Sequence, residues 1–210
     1  MSNEVNLLSK APVPDLEMPK MARWSRGWII TEKIDGICAR IRIQENGTIR
    51  AGGKGSWWTT PEEKGDTWKK AKDDPFGFAR WVAEHIEELK ALGPGTHFGE
   101  WWGPGTGRPS YNLKEKRFSL FNVRRWSVDY SGQNDAATLP KCCSVVPIIW
   151  QGTPSDVDSI IRDCMDHLRE QGSQAAPGNQ AEGIVLYHVA GNIMFKKTFE
   201  HDIDGKGASE

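Results

Sequence analysis

The chain has 210 residues, 38% of them hydrophobic, which is enough for one substantial core. Its 27 basic and 28 acidic residues leave a formal net charge of -1, which excludes the diffuse adhesion of strongly basic nucleic-acid binders. Any polynucleotide contact must then come from local clusters, such as Lys114, Lys116 and Arg117, or Arg124 with Arg125.

The four cysteines (Cys38, Cys142, Cys143, Cys164) form no CxxC pair and no ligand spacing with the five histidines, so a structural zinc site has no support. They suit a reducing cytoplasm. No apolar run reaches membrane-spanning length, and the N-terminus lacks the apolar stretch of a signal peptide. A soluble cytoplasmic protein, or one of the host cytoplasm if phage-encoded, is expected.

In chain order, residues 1–20 carry Pro12, Pro14 and Pro19 and suit an extended entry segment. Trp28 to Thr31 reads as a strand that leads into Glu32-Lys33-Ile34-Asp35-Gly36. From Ile37 the chain alternates, with Ile37, Ala39, Ile41 and Ile43 on one face and Cys38, Arg40 and Arg42 on the other. That pattern predicts a half-buried strand. Asn46-Gly47 predicts a type I′ hairpin turn, with Thr48 to Gly52 returning antiparallel.

Phe78, Trp81, Val82, Ile86 and Leu89 recur at helical spacing, and Gly93-Pro94-Gly95 closes that helix. Strands are predicted at His97 to Trp102, Phe118 to Val123 and Val145 to Trp150. A second amphipathic helix carries Val157, Ile160, Ile161, Cys164 and Leu168. Two last strands, Gly183 to Val189 and Ile193 to Phe199, flank Ala190-Gly191. Many strands with two separated helices point to an α+β fold with largely antiparallel sheets. Of the ten tryptophans, the pairs Trp57-Trp58 and Trp101-Trp102 offer base-stacking platforms or plain packing, and packing is the better reading for most.

Two nucleotide-binding patterns are absent. Gly47 to Gly55 is glycine-rich and holds Lys54 but lacks P-loop spacing, and Gly103 to Gly107 does not fit GxGxxG after a strand. The NGT at 46–48 matches a glycosylation acceptor, but a cytosolic hairpin turn explains it better.

Lys33-Ile34-Asp35-Gly36 alone is a short match, and a lysine at a strand end is usually a solvated charge. Further patches follow it in order: HFGEWWG at 97–103, FSLFNV at 118–123, EGIVLY at 182–187 and MFKKTF at 194–199. This order resembles the covalent nucleotidyltransferases, and most closely the ATP-dependent RNA ligases of phages and bacteria. The likeness runs from about Pro19 to about Lys206, and GFARWV at 77–82 and LKEKRFSLFN at 113–122 belong to it. It implies a nucleotidyltransferase domain, the ATP-grasp-like ligase adenylation fold, with two largely antiparallel sheets flanking a nucleotide cleft. Residues 1–210 are read as that single domain, with no C-terminal OB domain.

The residue types suit the implied chemistry. A lysine amine attacks an α-phosphate only when neutral, so its pKa must fall from about 10.4, by an amount worth about 3–4 kcal/mol. Arg40, Lys196, Lys197 and a bound metal ion are candidates for this, and they would also neutralise the phosphate charge of the transition state. Glu182 opens an otherwise apolar strand, where an acid is costly unless paired or bound to metal, and a Mg²⁺ role is favoured, with Mn²⁺ as the alternative ion.

The resemblance implies further roles. Lys33 is the residue adenylated by ATP. Glu100, between Phe98 and Trp102 on one strand face, matches the ribose contact. Phe121 matches the aromatic that stacks on adenine, and Phe118 falls on the opposite face. Glu32 matches the position near the adenine amine, and Asp35 orients the catalytic loop. Lys54 and Arg108 are candidate phosphate or polynucleotide contacts.

The chain departs from the family pattern in three places. Gly36-Ile37-Cys38 replaces a more polar run, Asn122 stands where many ligases place an Asp, and the last motif has adjacent lysines with Thr198 following. Alternation favours Lys196 over Lys197 for the cleft. The expected partners are ATP and RNA or DNA/RNA-hybrid ends, with a partner protein able to supply further nucleic-acid binding. The expected activity joins 5′-phosphate and 3′-hydroxyl ends. A DNA ligase, a capping-type nucleotidyltransferase and a non-catalytic, Trp-rich nucleic-acid-binding module are the alternatives.

Overall fold

The computed structural model describes residues 21–127 and 139–200. The entry segment expected over 1–20 lies outside the described residues. Nine strands form two sheets among them. In the first sheet the order is β7 (Ile148–Gly152), β1 (Trp28–Lys33), β8 (Gly183–His188) and β9 (Ile193–Thr198), all antiparallel. In the second it is β3 (Ile49–Gly53), β2 (Ile37–Ile43), β4 (Gly95–Trp102), β5 (Arg117–Leu120) and β6 (Cys143–Val145), and only the β5–β6 pair is parallel. The α+β class with two largely antiparallel sheets is as expected.

The alternation of β2 works as read. Ala39, Ile41 and Ile43 are buried against Phe78, Ala79 and Val82 of α3 (Phe78–Glu84). Cys38, Arg40 and Arg42 face the other way, with Phe98 and Glu100 of β4 beside them. In the first sheet, Trp28, Ile30, Ile184 and Leu186 pack on Cys164, Met165 and Leu168 of α6 (Val157–Gln171). Asp156 caps α6 by accepting from the Asp158 amide at 3.0 Å, and Gly172 ends it.

The opposite face of the first sheet turns toward the second. Ile29, Ile34, Trp102, Tyr111, Val123 and Val146 form a third core between the sheets, the floor of the cleft. Each fully buried aliphatic side chain in these cores contributes about 1.5–3 kcal/mol. No helix among the described residues is long and apolar enough to cross a membrane.

Several elements differ from expectation. Only Gly47 of the Asn46-Gly47 pair has a positive φ, 82°, and its amide donates to the Gln44 carbonyl at 2.9 Å. The hairpin therefore uses a longer turn closed by a left-handed glycine, not type I′. The helix expected through Leu89 breaks at His85, whose ring nitrogen and backbone amide both turn to the Trp81 carbonyl, and it resumes as α4 (Ile86–Leu89). The strand expected to reach Val123 ends at Leu120, and α5 (Val123–Trp126) follows. The strand expected from Val145 to Trp150 is two strands in different sheets, because the chain crosses between them at Val146-Pro147. Two single-turn helices, α1 (Pro61–Lys64) and α2 (Lys70–Asp73), were too short to register as periodicity.

Candidate active site

β1 is flanked on both edges, by β7 and β8, so its end is fixed, and Lys33 leaves it half-buried at the mouth of the cleft. Its Nζ donates to Oε2 of Glu182 at 2.5 Å. Glu182 precedes β8, where Gly183 stands directly across from Lys33.

Glu100 reaches the same point from β4 of the other sheet. Burial pushes its carboxyl up to about 7, and Lys33 opposes this while Glu182 and Asp35 add to it. The Gly36 amide donates to the same carboxyl. Segments more than sixty residues apart in the chain thus bring one amine and three carboxylates together.

Two motif glycines make this possible. A Cβ on Gly36 would lie 2.7 Å from the Trp101 carbonyl and 2.9 Å from Cγ of Glu100. The Lys33 loop therefore rests directly on β4, which only glycine permits. A Cβ on Gly183 would lie 2.1 Å from the Lys197 carbonyl, so β8 could not pair with β9 beside Glu182.

Asp35 is oriented by Tyr111, whose phenolic oxygen accepts from the Asp35 amide at 2.8 Å. Burial raises the Tyr111 phenol well above its ordinary range and keeps it neutral. The Asp35 carboxylate faces Arg108 at 3.5 Å, an exposed pair of small energetic weight. Sequence reasoning missed Tyr111, because a tyrosine in a polar Gly- and Pro-rich stretch carries no local signal.

The cleft face of the second sheet supplies the cationic and aromatic groups. Arg40 lies across from Phe98, its guanidinium 4.2 Å from the Trp57 ring, and its Nε is buried with no hydrogen-bond partner. Lys54 and Arg40 both act electrostatically on Cys38, which stands across from Glu100. The Phe121 amide donates to the Phe98 carbonyl at 2.9 Å, which sets both rings on this face, and each is partly exposed. Phe118 is fully buried in the opposite core.

Two expected site residues are placed away from the cleft. Glu32 is 1% exposed, and its carboxylate accepts from the Ser173 hydroxyl and from the Gln174 and Ala175 amides at 2.8 and 2.9 Å. It fastens the turn after α6, so its side chain is not offered to a nucleotide. Lys197 stands across from Ile184, in register with Glu32, and belongs to the α6 face. Lys196 stands across from Val185 and shares the cleft face with Lys33. Asn122, the departure from the family's Asp, caps α5 by accepting from the Arg125 amide at 3.2 Å.

No group of three or more His, Cys, Asp or Glu among the described residues could hold a metal ion by itself. Glu182 can supply one carboxylate, and that donor set suits a divalent ion held mainly by substrate phosphates rather than a resident one.

The Glu100 environment gives a pH signature. Because its carboxyl keeps its proton from about 4.5 to about 7 only in the folded chain, the folded state binds more protons across that window. Stability is then full below about 4.5 and declines as pH rises to about 7, by on the order of 3 kcal/mol. Urea midpoints across this range should fall for the wild type, and Glu100→Gln should remove that fall.

A family model for RNA ligase matches residues 26–199. No curated protein matches the chain. Among solved structures, a Naegleria gruberi RNA ligase variant with ATP and Mn is similar at a TM-score of 0.55 and 17% identity, covering 83% of this chain and 49% of that one. The Naegleria gruberi RNA ligase with pyrophosphate gives 0.55 and 18%, covering 83% and 50%. A variant of it with AMP and Mn gives 0.55 and 16%, with the same coverage of 83% and 50%. The chain spans about half the length of these proteins. With one family model extending over most of its length, and with a fold shared with solved ligases, the chain belongs to the RNA ligase family.

Proposed function

We propose that this chain carries out ATP-dependent joining of RNA ends through a lysyl-adenylate on Lys33. The observation that carries the reading is the Lys33 amine, 2.5 Å from Glu182 and beside Glu100 of the opposite sheet. In the first step a Lys33 proton passes through Glu182 to solvent, which leaves the amine neutral and Glu182 a carboxylate, and a second amine proton leaves as the new bond forms. The amine nitrogen bonds the α-phosphorus of ATP, and the bond from that phosphorus to pyrophosphate breaks. AMP then moves to a 5′-phosphate, and a 3′-hydroxyl displaces it to form the phosphodiester.

Arg40, Lys54 and Lys196 neutralise phosphate charge, and the unpartnered Arg40 Nε suits an anion. Glu100, keeping its proton to about 7, can donate to or accept from a ribose hydroxyl. Asp35 holds the Lys33 loop through the hydrogen bond that its backbone N–H donates to the Tyr111 phenolic oxygen. Glu182, a carboxylate once Lys33 is neutral, would supply the protein's ligand to a divalent ion, Mg²⁺ or Mn²⁺, which would offset triphosphate charge. The Naegleria gruberi structures with ATP, with AMP and with pyrophosphate contain the reactant, the transferred group and the leaving group of such a first step.

The test is incubation with α-labelled ATP or GTP and Mg²⁺, then denaturing electrophoresis, with sealing measured on nicked RNA and nicked DNA. Label from ATP but not GTP, with faster sealing of RNA, is expected. A wild-type chain that takes no label from either nucleotide would overturn the reading. Phe121→Ala should weaken ATP by about 1–3 kcal/mol, the worth of one base stacked on an aromatic ring, seen as a raised KM for ATP in the labelling rate.

A further inference from the structure

Behind the second sheet, on the side away from Lys33, lies a groove unused by the reaction above. β4 divides the two regions: Glu100 points into the cleft, and its neighbour Trp101 points to the rear core and lines the groove. The groove holds about 700 Å³ and continues past Gly77, Arg80 and Lys116 into a second hollow of about 560 Å³.

Five cations line the pair with their charges: Lys70, Arg80, Lys114, Lys116 and Lys141; Arg117 borders it, but its guanidinium lies over the Trp102 ring on the other face of the sheet. The five come from α2, α3, the stretch before β5 and the approach to β6. Glu84 and Glu115 are the carboxylates in the same lining. None of the five cations forms an ion pair within 4.0 Å among the described residues. A chain with a net charge of -1 has thus gathered an excess of positive charge on one face, where mutual repulsion opposes it. At Lys116 burial and Lys70 disfavour the ammonium, and Asp74 opposes them.

An aromatic stands in the same place. Phe76 has a left-handed backbone, φ 64°, which a bulky residue rarely adopts. Its carbonyl accepts from Lys116 Nζ at 2.7 Å and from Trp101 Nε1 at 3.2 Å, and both donors line the groove. These bonds hold the backbone in that conformation and leave the Phe76 ring partly exposed in the second hollow.

Unpaired cations along an elongated groove with an exposed ring fit a single polynucleotide strand, the cations on its phosphates and the ring under a base. A compact anion would need only one end of the groove. We propose that this rear groove is a binding site for single-stranded RNA, separate from the adenylation cleft, that holds the strand outside the joining site.

The test is fluorescence anisotropy with a labelled single-stranded RNA of about twelve nucleotides, its 5′ end a hydroxyl and its 3′ end blocked, so that it is no substrate for joining. The triple variant Arg80→Gln, Lys114→Gln, Lys141→Gln should bind about tenfold or more weakly at low salt, and its log–log salt slope should shrink by about two, near 0.7 for each lost phosphate contact. Phe76→Ala should weaken binding about fivefold or more with the slope unchanged. Unchanged thermal midpoints report that the variants fold, so the result does not depend on whether Lys33 is adenylated. Wild-type affinity and slope in both variants would overturn the proposal. So would displacement of the RNA by polyglutamate as readily as by unlabelled RNA of equal charge.

Discussion

Lys33→Ala is expected to lower the AMP retained on the protein after incubation with α-labelled ATP by about 10³-fold or more, because it removes the nitrogen proposed to bond the α-phosphorus. Alanine alone leaves an ambiguity, since it also removes the ammonium that neutralises Glu182 at 2.5 Å. Lys33→Arg resolves it. Arginine keeps the positive charge beside Glu182 and Glu100, yet it does not give up its proton at accessible pH and so cannot present a neutral nucleophile. Both variants should therefore be equally inert in labelling. Both should still seal RNA supplied with an already adenylated 5′ end, since Lys33 takes no part in the final joining step. Label retained on the arginine variant would place the covalent bond elsewhere.

The second large effect is on stability. Glu32→Ala removes the acceptor of three donors, the Ser173 hydroxyl and the Gln174 and Ala175 amides, at a site that is 1% exposed. Each buried donor left without a partner costs about 1–3 kcal/mol, so a loss of about 3–5 kcal/mol is expected. A domain of this size has only about 5–15 kcal/mol in all. Glu32→Gln keeps the shape and one carbonyl oxygen and should lose less. The urea midpoint measures both. A side chain that served the adenine would behave in the opposite way, with an unchanged midpoint and a raised KM for ATP, and that outcome would restore the nucleotide role to Glu32.

The fate of Glu32 shows where sequence reasoning stops. Its partners lie beyond α6, some 140 residues along the chain, and nothing near position 32 separates a carboxylate that fastens a turn from one that meets a nucleotide. Where the signal is local and periodic, the reading was sound. The alternation through β2 set Arg40 on the cleft face, the same rule put Glu100 and Phe121 there and Phe118 in the core, and it separated Lys196 from Lys197. Asn46-Gly47 was local too, but a dipeptide does not report loop length, and the turn spans more residues than the pair suggests. The crossing at Val146-Pro147 was hidden because a continuous apolar run reads alike whether it serves one sheet or two. Gly36 and Gly183 were noticed as motif letters, but the distances of 2.7 and 2.1 Å that exclude any side chain there emerge only from packing.

The strand order of the first sheet has a consequence for the timing of synthesis. β1 sits between β7 and β8, and both are made only after more than a hundred further residues have followed Lys33. Until Glu182 and Gly183 emerge, the amine lies on an unpaired strand without its partner, so on the proposed mechanism a nascent chain is expected not to charge itself with AMP. Closure over such sequence separations is slow and exposes apolar edges meanwhile, so incomplete products should be inert and prone to clump rather than partly active.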